Sequence, residues 1–510
     1  MYLDAGTTCW RIETADRAAV ILDMADYFTA AKAAMLKARR SIHLLNWAFD
    51  PDTLFEPQPH PEPKGGGRDD DTRIGPFLKR LSEEKPDLDI RILCWKASLP
   101  ISATQNFFTL KDRHCFAGSS VNMKLDGRLP FGASHHQKMI VIDDRVAFCG
   151  GGDIAPDRWD TACHEDHDPR RFRKKGKCYP SRHELMSAVE GPPAAALGEL
   201  FRDRWVRATG EALAPVESPP KASPWPACLK AEFQGVRTGL SRTQSAFQDA
   251  PELRENEALF LALIAGAKRL IYIENQYMTS PIMAEALAAR LEEPDGPEVV
   301  LVSTLHCPSW FDQMTMDRTR SAFMKRLELA NKHRRLHAFC PVTAEGNIII
   351  VHAKLAIIDD DLVRIGSTNL NNRSSGFDTE CDLSIEAAPP QAAATRLAIR
   401  GLRSRVVAHW LGVKETAVEA AVEKTGGLGP AIALLQAGGR PRLQPLESQD
   451  LGPLATFVAA HHIGDPIGRA DAWRPWLRRR AMARKLAEQK RALADAGLKR
   501  PNTGRIRRVV

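Results

Sequence analysis

The sequence predicts an α/β protein: two homologous α/β/α-sandwich halves, each with a mixed, largely parallel sheet, packed about a pseudo-twofold axis as a bilobal unit, plus a helical C-terminal region. Three observations lead there. Apolar, β-rich runs such as "DIRILCW" (89–95) and "EVVLVST" (298–304) alternate with amphipathic helical stretches near 16–38 and at "ENEALFLALIAGAKR" (255–269). That alternation lays helices over the faces of a sheet. The pattern occurs twice: "SHHQKMIVIDD" (134–144) is nearly repeated at "VHAKLAIIDD" (351–360), so that His136, Lys138 and Asp143 match His352, Lys354 and Asp359 at an offset of 216. Finally, 510 residues that are 44% hydrophobic suffice for more than one core.

In chain order, "SIHLLNWAFD" (41–50) reads as a strand ending at an Asn-aromatic lip and has its counterpart in "LIYIENQYMT" (270–279). Seven residues after each motif aspartate comes a small-residue segment, "GGGD" (150–153) or "GSTN" (366–369). "ELMSAVE" (184–190) then parallels "ECDLSIE" (380–386), and helices ending "RDRW" (202–205) and "VAHW" (407–410) close the halves. From motif histidine to first glutamate is 48 residues in the first half and 28 in the second. The excess falls in "TACHEDHDPRRFRKKGKCYP" (161–180), which reads as a charged surface loop. Within it "HEDHD" (164–168) carries metal-ligand residue types, but a solvated loop is the expectation. "RRFRKKGK" (170–177) reads as a solvated basic loop or a grip for anionic head groups. A proline-rich stretch, "APVESPPKASPWPA" (214–227), joins the halves. The expected division is therefore 1–213, a joint at 214–237, 238–412, and a mainly helical region at 413–510.

Composition narrows the function classes. No run of about 18 apolar residues appears, so no membrane span is expected. The first twenty residues lack a secretory leader pattern. Ten scattered cysteines without a CxxC pair read as reduced, buried thiols of a cytosolic protein. The net charge of +8 belongs to the tail: residues 469–510 hold 14 Lys/Arg against 3 Asp/Glu, a balance of +11. The other 468 residues sum to −3, unlike a nucleic-acid groove. The tail, with Trp473 and Trp476, reads as a membrane-surface element, a phosphate-binding arm, or a helix docked on the core and followed by a basic end.

The duplicated motif carries the chemistry. In a strand, residues i and i+2 share a face, so His136 and Lys138 aim at one point, as do His352 and Lys354. Brought together, two imidazoles and two ammonium groups suit a phosphodiester. One neutral histidine attacks phosphorus and the other, protonated, gives its proton to the departing alkoxide. The lysines hold the phosphoryl oxygens, so no metal or cofactor is needed. Gly150, Gly151 and Gly152, or Gly366 and Ser367, allow close approach to phosphate. Asp153, Ser367 and Asn369 complete the expected phosphate-binding set. Glu184 and Glu380 are candidates to orient the imidazoles from Nδ1. Asp143 and Asp359 are candidate site residues too, at the far strand ends, where stabilising a turn is the other reading.

These residues resemble the phospholipase D superfamily, whose signature is a duplicated HxKxxxxD followed by a G-G or G-S pair and Asn or Asp. The resemblance covers about 400 of the 510 residues. "GGGDIAPDRWD" (150–160), "IYIENQY" (271–277), "GSTNLNNRS" (366–374) and "DTE" (378–380) resemble the eukaryotic-type branch. The resemblance implies metal-free, two-step phosphatidyl transfer with His136 as nucleophile and His352 as acid and base; the symmetry of the sequence does not itself choose between them. It also implies that each carboxylate reaches the other half's histidine, as His136–Glu380 and His352–Glu184. The expected activity is a phospholipase D-type phosphodiesterase acting on a glycerophospholipid, by hydrolysis or by transfer to another alcohol. A cardiolipin-synthase-like phosphatidyltransferase, a nuclease and a non-enzymatic adaptor on anionic membranes are the alternatives. The expected partners are a phospholipid and, through the tail, a peripheral membrane surface; nucleic acid is not expected. The expected state is a monomer, cytoplasmic or at a membrane surface, with leaderless export left open.

Overall fold

The computed structural model describes residues 1–59, 72–97, 114–173, 177–217, 219–307, 309, 312–449, 452–472 and 474–495. Among the described residues, eight strands form the first half: β1 (Arg11–Leu22), β2 (Ser41–Asn46), β3 (Asp89–Trp95), β4 (Asn122–Asp126), β5 (Met139–Ile142), β6 (Val146–Gly150), β7 (Arg182–His183) and β8 (Leu185–Glu190). Nine follow: β9 (Phe233–Gln244), β10 (Leu253–Arg254), β11 (Leu270–Asn275), β12 (Glu298–Val302), β13 (Leu336–Pro341), β14 (Ile350–Val351), β15 (Lys354–Ile358), β16 (Leu362–Gly366) and β17 (Glu380–Glu386). A last strand, β18 (Leu443–Pro445), adds itself from the C-terminal region to the edge of β13.

The two halves share one 16-stranded sheet, ordered β18-β13-β12-β11-β15-β16-β17-β9-β1-β8-β6-β5-β2-β3-β4, with β10 attached to β9. Read outward from the β9–β1 seam, β17, β16, β15, β11, β12 and β13 mirror β8, β6, β5, β2, β3 and β4. This is the pseudo-twofold in strand order. The sheet is mixed, but its parallel share is smaller than the expected "largely parallel". Among the described residues, the parallel pairs of this sheet are those among β2–β3–β4 and β11–β12–β13. The centre is antiparallel because each motif aspartate opens a tight turn. Asp143 and Asp144 adopt φ of 55° and 49°, and Asp359 and Asp360 adopt 59° and 77°. Aspartate tolerates this left-handed region better than most side chains, so β5 folds back onto β6 and β15 onto β16.

Helices cover both faces. Met24–Leu36 and Ile74–Glu84 bury Phe28, Met35, Phe77 and Leu78 on one face of the first half. Glu255–Gly266, Pro281–Glu292 and Arg318–Ala330 do the same for the second. On the other face, helices Pro192–Thr209 and Ala392–Leu411 contribute Phe201, Trp205, Val406 and Trp410 to one core that also draws on β5, β6, β15 and β16. Both helices end at a left-handed glycine, Gly210 and Gly412, as a helix C-terminus favours.

The 161–180 insertion is not the solvated loop expected from its charge. His164, Asp168, Arg171 and Tyr179 are buried. Arg171 donates from Nη1 to the Asp160 carboxylate at 3.1 Å and from Nη2 to the carbonyls of Glu165 and Asp166, so both ends of its guanidinium fork are bonded within the fold. Asp166 accepts from Thr343, from Asn347 Nδ2 at 2.8 Å and from Glu345 N at 3.0 Å, tying the insertion to the second half. In the basic stretch, Arg170 pairs with Asp168 and Arg173 with Asp157; residues 174–176 lie outside the described residues. All ten cysteines are free, with Cys163, Cys178 and Cys228 exposed rather than buried. The tail helix Pro475–Asp495 rests on the second half: Met482 packs with Ile282 and Ile467, and Lys485 reaches Glu257 at 3.1 Å. Trp476 is 64% exposed, while Trp473 and residues 496–510 lie outside the described residues. No helix among the described residues is long and apolar enough to cross a membrane.

Candidate active site

Each motif histidine stands just ahead of its strand, not within it, on an extended segment that crosses to the other half. Thr379 N donates to Ser134 O at 3.0 Å, and His136 N donates to Thr379 O at 2.9 Å. In the mirror arrangement β14 pairs with β7, and His352 N donates to His183 O at 2.8 Å. The residue preceding each glutamate therefore accepts from the backbone of the opposite half's histidine. With the backbones so registered, the side chains meet: His136 Nδ1 lies 3.0 Å from Glu380 Oε2, and His352 Nδ1 makes a short contact to Glu184 Oε2.

The two pairs are not equivalent. His136 Nδ1 also lies 3.1 Å from the carbonyl oxygen of Ser367. A carbonyl only accepts, so Nδ1 carries the proton and the neutral ring presents its Nε2 lone pair outward. Ser367 Oγ donates to the same Glu380 oxygen. His352 has Glu184 as its one hydrogen-bond partner at Nδ1 among the described residues.

The lysines are fully buried. Lys138 Nζ donates to His136 O at 2.7 Å and stands 3.6 Å from Asp153 Oδ2. Lys354 Nζ donates to His352 O. Asp153 is held by Trp47 N and Ala48 N at 3.0 and 3.1 Å. Gly151 lies where a Cβ would collide with the Glu184 carboxylate and come within 3.2 Å of Lys354 Cδ; its missing side chain lets the first half's backbone pass between them. Asn369 is buried, with an Oδ1 that has no hydrogen-bond partner.

Burial and charge set the protonation. Burial pushes Lys354 down to about 7 and lowers Lys138. It pushes the Glu380 carboxyl up to about 8 and raises Glu184. Burial, then the lysines, hold both motif imidazoles well below the usual histidine range. Lys138 acts on His352 and Lys354 on His136, so the four groups share one field. An anion entering that field favours the protonated forms of all four.

Sequence reasoning passed over several neighbours. Arg182 and Arg158 add positive charge at His352, and the Trp47 ring lies 6.4 Å from the His136 ring and 5.8 Å from Lys138 Nζ. Arg182 directly precedes "HE" (183–184), the one local signal that marked it.

The structure separates Asp143 and Asp359 from this group and corrects their placement among candidate catalytic residues. Asp143 accepts from the backbone N–H groups of Arg39, Arg40 and Ser41 at 3.0, 2.7 and 2.9 Å. Asp359 accepts from those of Lys268, Arg269 and Leu270 at 2.6, 2.7 and 2.8 Å. Each pins the entry of a neighbouring strand, β2 or β11, at the end away from the histidines. Asp143→Ala or Asp359→Ala strands three such donors, at about 1–3 kcal/mol for each one left unsatisfied. The expected result is a loss of about 3 kcal/mol or more in denaturant unfolding, with turnover per folded molecule preserved at low temperature. Turnover lost in a fully folded variant would return these aspartates to the chemistry.

The chain is similar in sequence and fold to several known proteins. A family model described as "Cardiolipin synthase, PLD-like domain" matches residues 260–398. Phospholipase D alpha 1 of Zea mays is 24% identical over 503 residues, covering 72% of this chain and 61% of that protein. Phospholipase D1 of Saccharomyces cerevisiae is 24% identical over 468 residues, covering 72% of this chain and 26% of that protein. The chain thus spans less than two thirds of the length of these relatives. Among solved structures, phosphatidylserine synthase of Haemophilus influenzae Rd KW20 superposes with a TM-score of 0.54 at 13% identity, covering 81% of this chain and 94% of that one, a likeness of fold.

Proposed function

The chain belongs to the phospholipase D superfamily, and from that premise we propose that it cleaves the head-group phosphodiester of a glycerophospholipid through a covalent phosphohistidine. The observation that carries the proposal is the crossed pairing of each half's histidine with the other half's glutamate, which makes the reaction centre a joint property of both halves.

In the first displacement His136 Nε2 attacks phosphorus. The N–P bond forms as the P–O bond to the head group breaks, and the head-group oxygen takes a proton from His352. Glu380 and the Ser367 carbonyl hold the Nδ1–H of His136 while positive charge grows on its ring. Lys138 and Lys354 neutralise the equatorial oxygens, charge that gathers in the transition state. In the second displacement, water or another alcohol gives its proton to His352 and its oxygen attacks phosphorus, breaking the N–P bond. The assignment of His136 as nucleophile is supported by its fixed tautomer. The Glu184 pairing leaves His352 free to exchange a proton.

The matched family model, described as cardiolipin synthase, favours a second reading in which the acceptor is another lipid's alcohol. One assay addresses both. Phosphatidylcholine and phosphatidylethanolamine vesicles are each incubated with the protein, with and without a primary alcohol. The expected outcome is release of choline or ethanolamine, with a phosphatidyl-alcohol appearing when the alcohol is present. Head-group release only with a phosphatidylglycerol acceptor would favour the transferase reading. No cleavage of any diester lipid would sink the proposal.

A further inference from the structure

A second cluster of chemistry-bearing side chains sits behind the catalytic pairs. Asp23, His164, His183 and His409 converge from four segments: the end of β1, the 161–180 insertion, β7 and helix Ala392–Leu411. Their side chains are between 0 and 5% exposed. One oxygen or nitrogen from each lies within 4.8 Å of the others. His164 Nε2 and His409 Nε2 are 3.2 Å apart, and they lie 3.7 and 3.6 Å from Asp23 Oδ2. Bonds of 2.0–2.1 Å to a tetrahedral ion would space the ligand atoms by roughly 3.3 Å.

The outer hydrogen bonds determine which ring nitrogens are free. His164 Nδ1 lies 2.9 Å from Asp160 Oδ2, an oxygen that also accepts from Arg171 Nη1 and Arg182 N. His183 Nε2 lies 3.0 Å from Glu274 Oε2, and the other oxygen of Glu274 accepts from Tyr272 Oη and from Trp410 Nε1 at 2.6 Å. Both carboxylates act as acceptors, so each ring carries a proton on its outward nitrogen, and the inward nitrogen is the one left for a metal ion. A carboxylate behind a ligating imidazole is the usual support of a protein metal site. Inward, His183 Nδ1 lies 3.0 Å from Asp23 Oδ1 and His164 Nε2 lies 3.7 Å from Asp23 Oδ2, an oxygen that is buried without a hydrogen-bond donor. Asp23 is aimed there by a backbone φ of 67°, an unusual conformation for a residue with a side chain.

We propose that Asp23, His164, His183 and His409 bind a divalent zinc-type cation in a closed, four-ligand structural site. Three imidazoles and one carboxylate suit that ion, and the absence of an open position argues against a catalytic role for it. The site staples the halves: Asp23, His164 and His183 belong to the first and His409 to the second. It also lies next to the Glu184–His352 pair. His183 precedes Glu184, Asp23 Oδ1 accepts from Glu184 N at 3.1 Å, and His183 O accepts from His352 N. The inference stands independently of the reaction proposed above, because metal content and stability report on it without any substrate.

An arrangement without an ion also exists: an imidazolium at His183 bonded to Asp23, and a His409 N–H donated to His164. It leaves Asp23 Oδ2 buried without a donor. Untagged full-length protein, purified without chelator, is analysed for bound metal by mass spectrometry. The chelated protein is then titrated with Zn²⁺ or with Co²⁺ as a spectroscopic probe. The expected result is about one zinc per chain that survives dialysis, a rise in unfolding temperature on adding Zn²⁺ back, and the intense visible absorption of tetrahedral Co²⁺. His409→Gln and Asp23→Asn are each expected to lose most of the bound zinc. Wild-type protein with no stoichiometric metal and no thermal response to Zn²⁺ or Co²⁺ would overturn the proposal, as would full zinc retention in both variants.

Discussion

His136→Ala is expected to lose about 10⁴-fold or more in turnover, because in the proposed reaction it removes the atom that bonds to phosphorus. A more discriminating result is expected from His352→Asn. With a natural lipid this variant stalls in the first displacement, since an alkoxide leaves poorly without a proton. With an aryl phosphodiester, whose phenolate departs unprotonated, the first displacement proceeds and the second lacks its base. The expected observation is a burst of one phenolate per chain and a matching mass gain on His136 by peptide mapping. His136→Asn should give neither. An adduct on His352 in His136→Asn would exchange the two roles, and the Ser367 carbonyl would then be a structural contact only.

The second large effect is an inequality between the glutamates. Glu184 is the one Nδ1 partner of His352 among the described residues, whereas His136 keeps the Ser367 carbonyl when Glu380 is neutralised. Glu184→Gln is therefore expected to cost about 10²–10⁴ in turnover, and Glu380→Gln about tenfold less. Stability should move the other way at Glu380. Burial pushes its carboxyl up to about 8 from 4.5. Between those values the unfolded chain has released the proton and the folded chain still holds it, so stability falls as pH rises through the window. Glu380→Gln lacks that slope. Near pH 8.5 it is expected to unfold later than wild type by about 1–3 kcal/mol, part of the linkage of about 1.4 kcal/mol per pH unit that the wild type loses across the window. The difference should vanish near pH 4.5. Thermal scans at the two pH values measure it, and equal midpoints at both would contradict the assignment.

Much of the site was legible because the repeat is a spatial instruction. His136 with Lys138 and His352 with Lys354 stand at equal offsets, and equal offsets in duplicated halves map onto a twofold. What local pattern did not disclose was depth. His164 sits in a run so charged that exposure was the natural expectation, yet it is 2% exposed, because Asp160 and the second half's His409 meet its two nitrogens. Asp143 and Asp359 were ambiguous for a related reason. Their partners are backbone amides about ninety to a hundred residues upstream, and amides leave no mark in a side-chain pattern. The antiparallel centre was missed although its signal was present: "DD" at 143–144 and 359–360 is a turn dipeptide between apolar runs. The alternation of strands with helices, true of the outer arms, outweighed it.

The seam between β1 and β9 sets an order of events during synthesis. β1 pairs with β8 on one side, but its other edge waits for residues 233–244. Glu380, which completes the first histidine's surroundings, leaves the ribosome later still. A nascent first half is thus an open-edged sheet holding a solitary imidazole and lysine, vulnerable to sticking to its neighbours and lacking the carboxylate that its histidine meets in the folded chain. The crossed pairs can form only once the last strand of the second half, β17, has been made and has joined the sheet.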